Sequence, residues 1–121
     1  MMRASEMILI EAEAKAHLGM ADAGDVLFAL QSNRDPNAVK SGNTGQDLIN
    51  EIALERRKEL YGEIGINYLD IKRLQLPLTR SGNHDPGVMY DIPANDPAFI
   101  LKIPQRELDA NPNINDADQN P

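Results

Sequence analysis

The spacing of apolar residues in the first two thirds of the chain is the feature that most constrains its fold. Near the start, apolar residues recur at three- and four-residue intervals, and these are Met7, Ile10, Ala14 and Leu18. Such spacing predicts one apolar face of a helix. Gly19 follows directly and is a typical stop signal for a helix.

A second helix is predicted behind Asp22, a residue type that often caps helix starts. Its apolar residues repeat the same spacing, and they are Ala23, Val26, Leu27 and Leu30. It should end before Asp35-Pro36, because a residue that precedes proline resists the helical conformation. We therefore predict a helical hairpin of the tetratricopeptide-like kind in residues 1–36. A lone hairpin of this kind cannot bury both of its faces, so it needs neighbours.

Residues 44–76 predict a long helix, a bend and a short helix. Thr44 and Asp47 nearly match a capping box at its start. The apolar side of the long helix is predicted to contain Leu48, Ile49, Ile52, Ala53, Leu60 and Ile64. Gly62 and Gly65 each weaken its far end by about 1 kcal/mol relative to alanine. A break is therefore expected before the segment INYLDIKRL.

Residues 77–121 predict a loop, a small β-hairpin and an irregular C-terminal tail. The hairpin strands would be GVMYDIP and AFILKIP, two brief β-prone runs separated by ANDP. In the tail, Pro104 and Glu107 favour the start of a helical turn. The predicted fold class is thus mainly α, with all 121 residues forming one region.

Composition narrows the possible functions. A net charge of −7 argues against nucleic acid, whose phosphates demand a basic surface. Without cysteine, the chain has no disulfide, thiolate metal site or thiol nucleophile. Aromatic residues make up 4% of the chain, which leaves little material for stacking sugars or bases. No apolar run approaches the ~20 residues of a membrane span, and Glu6, Glu11 and Glu13 interrupt any signal peptide at the start.

The charge run from Glu55 to Glu59 admits two interpretations. A carboxylate held between arginines could serve acid–base chemistry. The simpler alternative is a solvated or interface face with ion pairs such as Glu55–Lys58. Asp70 and Arg73 are likewise spaced for a helical ion pair, worth no more than about 1 kcal/mol if exposed.

A loop histidine offers the other catalytic interpretation. His84 follows Asn83 and precedes Asp85, so a catalytic dyad or a metal ligand is conceivable. The other histidine, His17, belongs to a distant predicted helix. The aspartates of the last third do not fit the spacing of an EF-hand loop, and they are Asp91, Asp96, Asp109, Asp116 and Asp118. We therefore predict no catalytic residue, no cofactor and no metal site.

Three stretches resemble successive landmarks in the C-terminal part of the SusD/RagB family. They are EAEAKAHLG, ERRKELYGEIGINYLDIKRL and IPQRELDANPNI, in the family order. The matching positions, structural by resemblance, are Glu55, Arg56, Arg57, Glu59, Leu60, Asp70, Lys72, Arg73, Ile103, Pro104, Glu107, Asn111 and Pro112. Two departures are Tyr68-Leu69, where the family usually has an aromatic pair, and Gly24, where alanine is more typical.

The resemblance implies a binding protein rather than an enzyme. Members of the family are surface lipoproteins of Bacteroidetes-type outer membranes that bind glycans or other nutrients. They act with a TonB-dependent SusC-like transporter in nutrient uptake. Members are several times longer and carry a lipid-anchor cysteine, so this chain is expected to be a C-terminal fragment or a truncated gene product.

Ligand contact in the family depends largely on aromatic residues outside this region. The segment is therefore expected to be structural rather than ligand-contacting. Two alternatives remain open: a stand-alone helical-repeat interaction module, which would tend to self-associate through exposed apolar surface, and a hydrolase that uses His84.

Overall fold

The structure, a computed structural model, describes residues 3–63, 65–80 and 82–121. Its α-helices are α1 (Ala4–His17), α2 (Ala23–Arg34), α3 (Gly45–Glu59), α4 (Ile66–Arg73) and α5 (Gln105–Ala110). Three short 3-10 turns follow α4 and are Pro86–Val88, Pro97–Phe99 and Asp116–Asp118. The chain divides into two compact units, an N-terminal unit (Met1–Asn67) and a C-terminal unit (Tyr68–Pro121).

The core of the N-terminal unit lies among its three helices. α1 packs on both α2 and α3. Each helix contributes one large side chain with almost no exposure, and these are Leu9, Leu27 and Ile52. The other core residues are Ala12, Ala16, Ala23, Leu30 and Leu48. Three of these are alanines, and their small side chains leave room for neighbouring backbones to pack closely at native density.

The predicted apolar face of α1 is wrong. Met7 and Ile10 are 46% and 45% exposed, and Leu18 is 76% exposed. Ala14 is exposed as well. The helix instead buries a stripe with the same three- and four-residue spacing, formed by Ser5, Leu9, Ala12 and Ala16. The prediction chose the stripe with the larger side chains, whereas the core contains the stripe with the small alanines.

The start and end of α2 lie where the sequence predicts them. Its buried residues are Ala23, Leu27 and Leu30, and it ends at Arg34, before Asp35-Pro36. The predicted side-chain cap of α2 is absent. Asp22 precedes α2 but makes no capping hydrogen bond, and its carboxylate lies 2.7 Å from the ammonium of Lys15.

The predicted capping box at the start of α3 is also absent, because Thr44 makes no side-chain cap hydrogen bond. Gly45, the first residue of the helix, has φ +54°, so the chain enters the helix outside the usual geometry of a capped start. The apolar side of α3 is otherwise as expected, with Leu48 and Ile52 buried. Ile64, which the prediction also assigned to this side, lies outside the described residues.

The predicted break after the long helix is confirmed. α3 ends at Glu59 and α4 starts at Ile66, with Gly62 at φ +75° and Gly65 at φ +66° between them. Positive φ is a conformation that glycine adopts without steric cost. The two glycines therefore end one helix and allow the chain to turn before the next begins.

The predicted β-hairpin is wrong for the residues that the structure describes. They contain no strand, only an isolated antiparallel bridge between Leu78 and Ile92. Each predicted strand instead overlaps a 3-10 turn that starts with proline. Asp85 and Asp96 cap these turns, and each carboxylate accepts a 2.8 Å hydrogen bond from the backbone N–H two residues later. Proline has no N–H to donate to a sheet, so these segments favour turns over strands.

The hairpin of α1 and α2 is present as a pair of packed helices. Nothing in the described residues identifies it as a tetratricopeptide-like repeat. α3 completes its core, so the N-terminal unit is an arrangement of three packed helices.

Candidate functional site

The charged run of α3 connects its neighbouring helices through ion pairs. The guanidinium of Arg34, at the end of α2, donates to both carboxylate oxygens of Glu59 at 2.9 Å and 2.5 Å. Bidentate arginine–carboxylate pairs fix geometry as well as adding energy. The hydrogen bonds from Arg34 lower the pKa of Glu59. Glu59 is therefore held as a carboxylate that connects α2 with α3.

A second pair connects α3 with α1. Arg56 is 8% exposed and donates from Nη2 to Glu6 Oε1 at 3.2 Å. Glu55 is also buried, and Lys58 lies 3.2 Å from it, as the sequence predicted. Arg57 is exposed. The run is thus an interface between helices, with only part of it solvated.

The carboxylate of Glu51 forms a hydrogen-bonded cluster that the sequence did not predict. Its carboxylate accepts hydrogen bonds from Ser41 Oγ at 2.5 Å, Asn43 Nδ2 at 2.8 Å and Gln31 Nε2 at 3.2 Å. Burial raises the pKa of Glu51, but these three hydrogen bonds together outweigh it, so that the pKa is lowered. The only sequence signal is the polar loop before α3, which contains Ser41 and Asn43, and its spacing does not reveal which carboxylate it contacts.

A cavity of about 310 Å³ lies between the α1–α2 turn and the loop before α3. Three of its polar lining residues already have partners within the chain. Lys40 pairs with Asp25 at 2.5 Å, while Ser41 and Asn43 bind Glu51. This cavity therefore offers few free groups for a ligand.

In the C-terminal unit, Tyr68 anchors the turn that contains Phe99. The Tyr68 hydroxyl donates to the Phe99 carbonyl oxygen at 2.7 Å, and the two rings lie 6.4 Å apart between centroids. The Lys72 ammonium lies 5.5 Å from the Tyr68 ring centroid, within cation–π range. The predicted Asp70–Arg73 pair is present at 3.1 Å. This part of α4 is thus fixed against the 3-10 turn Pro97–Phe99.

Beside this contact lies a cavity of about 250 Å³, hereafter the α4 cavity. Its residues come from the end of α4 and from the turn around Phe99. They are Ile71, Lys72, Gln75, Asn95, Asp96, Phe99 and Ile100. Gln75 and Asn95 have φ +53° and +61°, and among the described non-glycine residues only these two have positive φ.

The C-terminal tail folds back on the segment before α5. The Gln119 side chain accepts from the Ile103 N–H at 2.8 Å and donates to the Ile103 carbonyl at 3.0 Å. Asn120 Nδ2 donates to the Leu101 carbonyl at 2.8 Å. These side-chain amides supply backbone partners that the extended segment lacks. No pattern in the sequence predicts this pairing.

The other motif residues of the tail lie around α5. Pro104 is the residue before the helix, with φ −55°, and Glu107 lies in its first turn. Glu107 accepts a hydrogen bond from Asn111 Nδ2 at 2.9 Å. Leu108 is buried, while Pro112 is exposed. The tail motif therefore forms a short helix, and the Asn111–Glu107 hydrogen bond connects this helix with the residue that follows it.

The catalytic and metal interpretations gain no support from the geometry. His84 belongs to the C-terminal unit, whereas His17 lies on α1 and is 3.8 Å from Glu13. Within residues 3–63, 65–80 and 82–121, no group of three or more His, Cys, Asp or Glu residues could hold a metal ion. In that same part of the chain, no helix is both long and apolar enough to cross a membrane.

Comparison with known proteins identifies the family. No curated protein matches the chain. The crystal structure of a SusD-like carbohydrate-binding protein from Bacteroides vulgatus matches with a TM-score of 0.75 and 32% sequence identity. The match covers 93% of this chain and 29% of that protein, so the chain spans less than a third of the length of this relative. The sequence profile of the SusD family matches residues 1–121, all of the chain, which therefore belongs to the SusD family.

Proposed function

We propose that the chain is part of a cell-surface carbohydrate-binding protein that delivers its ligand to a TonB-dependent, SusC-like transporter. The observation that carries this proposal is the match to a SusD-like carbohydrate-binding protein at 32% identity over 93% of the chain. Placement in the outer membrane and the SusC-like partner follow from the family. The role is binding, with no catalytic step.

Within such a protein, the motif residues act as a structural framework. Arg56 and Glu59 bind side chains of α1 and α2, so they fix the arrangement of the three helices. Met7, Ile10 and Leu18 leave apolar surface exposed on and directly after α1. In a longer family member this surface would pack against further helices, since apolar surface removed from water is stabilising by about 25 cal/mol per Å².

The test uses the full-length gene product with an affinity tag at its carboxyl end. After cross-linking in the source cells, we expect it to co-purify with a TonB-dependent outer-membrane transporter. In affinity electrophoresis, gels that contain the matching polysaccharide should retard it. Failure of both experiments would contradict the proposed function.

A stand-alone interaction module is the second candidate, because the same exposed apolar side chains could dock a partner or a second copy. It predicts that the 121-residue chain self-associates in solution. Analytical ultracentrifugation of Met7→Ser/Ile10→Ser against the unchanged chain tests this. If the unchanged chain is monomeric at all concentrations, a module that pairs with a second copy is excluded.

A further inference from the structure

We propose that the α4 cavity is a binding subsite for one neutral pyranose ring of a glycan. The proposal rests on the proposed function for its ligand class, and it gives the C-terminal unit a role beyond framework. Three features carry it: an apolar floor, a polar rim, and two side chains held at positive φ on that rim.

The floor of the cavity is apolar and fixed in place. Phe99 is 6% exposed, and its carbonyl oxygen and ring are held by Tyr68. Ile71 and Ile100 complete the apolar lining. A pyranose ring has an apolar face of C–H groups, and binding sites typically combine such a lining with a few placed polar groups.

The rim supplies hydrogen-bonding groups for hydroxyls. Gln75 and Asn95 each present an amide with both donors and an acceptor, and Lys72 presents an ammonium. Asp96 accepts one hydrogen bond from the Ala98 N–H and keeps further acceptor capacity. One cation and one anion leave the rim without net charge, which suits a neutral sugar.

The end of α4 requires positive φ at position 75, but it does not require a glutamine there. Gln75 follows α4 in the arrangement that ends many helices, with its N–H bonding Lys72 O at 3.3 Å and Leu76 N–H bonding Ile71 O at 3.0 Å. Glycine is the usual residue at this position, because positive φ is unfavourable for other residues. Asn95, across the cavity, has positive φ as well, in a turn closed by the Asp96 N–H and the Pro93 carbonyl at 3.2 Å, where asparagine is a usual residue. The strain at Gln75 is of the kind that concentrates at binding sites, where the side chain has a use.

The size of the cavity limits the ligand. Its volume of about 250 Å³ is below the ~300–1,000 Å³ of pockets that enclose drug-sized molecules. One ring fits this space, whereas a longer oligosaccharide would have to extend out of it. The α4 cavity is thus a single-ring subsite.

The test is a titration of the ¹⁵N-labelled 121-residue chain with methyl glycosides of glucose, galactose, mannose and N-acetylglucosamine. The side-chain amide signals of Gln75 and Asn95 should shift with at least one glycoside, with a Kd on the order of 1 mM. Cyclohexanol serves as a ring without the hydroxyl pattern, and it should bind at least tenfold more weakly.

The variants Gln75→Gly and Asn95→Gly remove the amides while relieving the positive φ, so loss of the fold is not expected. Each should weaken glycoside binding at least tenfold. Gln46→Ala removes an amide on α3 that binds Asn50, and it should bind glycoside unchanged. The proposal is overturned if no glycoside shifts either amide, if both glycine variants bind as the unchanged chain does, or if cyclohexanol binds equally well.

The two proposals fail separately. If the full-length product binds polysaccharide but the 121-residue chain binds no glycoside, the subsite is wrong and the proposed function stands. If the chain binds glycosides through Gln75 and Asn95 but the full-length product neither binds polysaccharide nor captures a transporter, the proposed function is wrong and the subsite stands.

Discussion

At the scale of single residues, the buried charges of α3 decide how its helices are held. Arg56 and Arg57 are neighbours in the sequence, yet Arg56 is 8% exposed and binds Glu6, whereas Arg57 faces solvent. The sequence predicted ion pairs in this run but not which side chains are buried. Helical spacing assigns residues to faces, while burial depends on the helices that pack there.

This difference predicts unequal effects of two adjacent substitutions. Arg56→Ala removes the donor to Glu6, a carboxylate whose side chain is 20% exposed, and should lower the free energy of unfolding by about 1–3 kcal/mol. Arg57→Ala, the matched control, should change it by no more than about 0.5 kcal/mol. Urea denaturation of both variants measures this. Equal effects would contradict the burial of Arg56.

The carboxylates Glu51 and Glu59 predict a dependence of stability on pH. Both have a pKa lowered in the folded state from an ordinary value of 4.5. Each therefore contributes stability that is fully present above that value and is lost as the pH falls through the lowered folded pKa. The Tm should drop as the pH falls below about 4.5. The Tm of the Glu59→Gln variant should drop less steeply with falling pH than the Tm of the unchanged chain. Identical slopes would contradict a stabilising ion pair between Arg34 and Glu59.

At the scale of elements, the helices could be predicted and their faces only in part. Periodicity, Gly19, Pro36 and the pair Gly62 and Gly65 place the ends of the first three helices closely. α1 carries two apolar stripes, however, and periodicity alone does not choose between them. The predicted β-hairpin is wrong because the Asp-Pro steps outweigh the β propensity of its residues and start capped turns at Pro86 and Pro97.

The chosen stripe of α1 gives a direct prediction. Leu9→Ala should lower the free energy of unfolding by about 2–5 kcal/mol, because Leu9 has 0% exposure in the core. Ile10, the next residue, is 45% exposed, so Ile10→Ala should lower the free energy of unfolding by much less. Thermal and urea unfolding of the two variants give the order. A larger effect for Ile10→Ala would restore the stripe that the sequence favoured.

The end of α4 gives a prediction of opposite sign. Gln75→Gly should raise the free energy of unfolding by about 0.5–1 kcal/mol, since glycine adopts φ +53° without steric cost. Gln46→Gly, in the first turns of α3, should lower it, because glycine weakens helices by about 1 kcal/mol. Differential scanning calorimetry compares them. Destabilisation by Gln75→Gly would mean that its side chain packs in a way that outweighs the backbone strain.

At the scale of the whole molecule, the motifs and their order along the chain are sufficient to predict the family without the fold. Residues that end helices or form ion pairs, such as Gly62 and Arg73, account for part of that pattern in physical terms. The α4 cavity had no such signal, because its lining comes from segments about twenty residues apart that the turns bring together. The residues of this chain also do not predict its binding partners, since the chain spans 29% of the length of the SusD-like relative.

The size and location of the native protein decide whether the chain is part of a longer surface protein. Source cells are fractionated and probed with an antibody against residues 103–121. Under the proposed function, we expect a band several times heavier than 13.4 kDa in the outer-membrane fraction. A band at 13.4 kDa in the soluble fraction alone would contradict it and favour the interaction module.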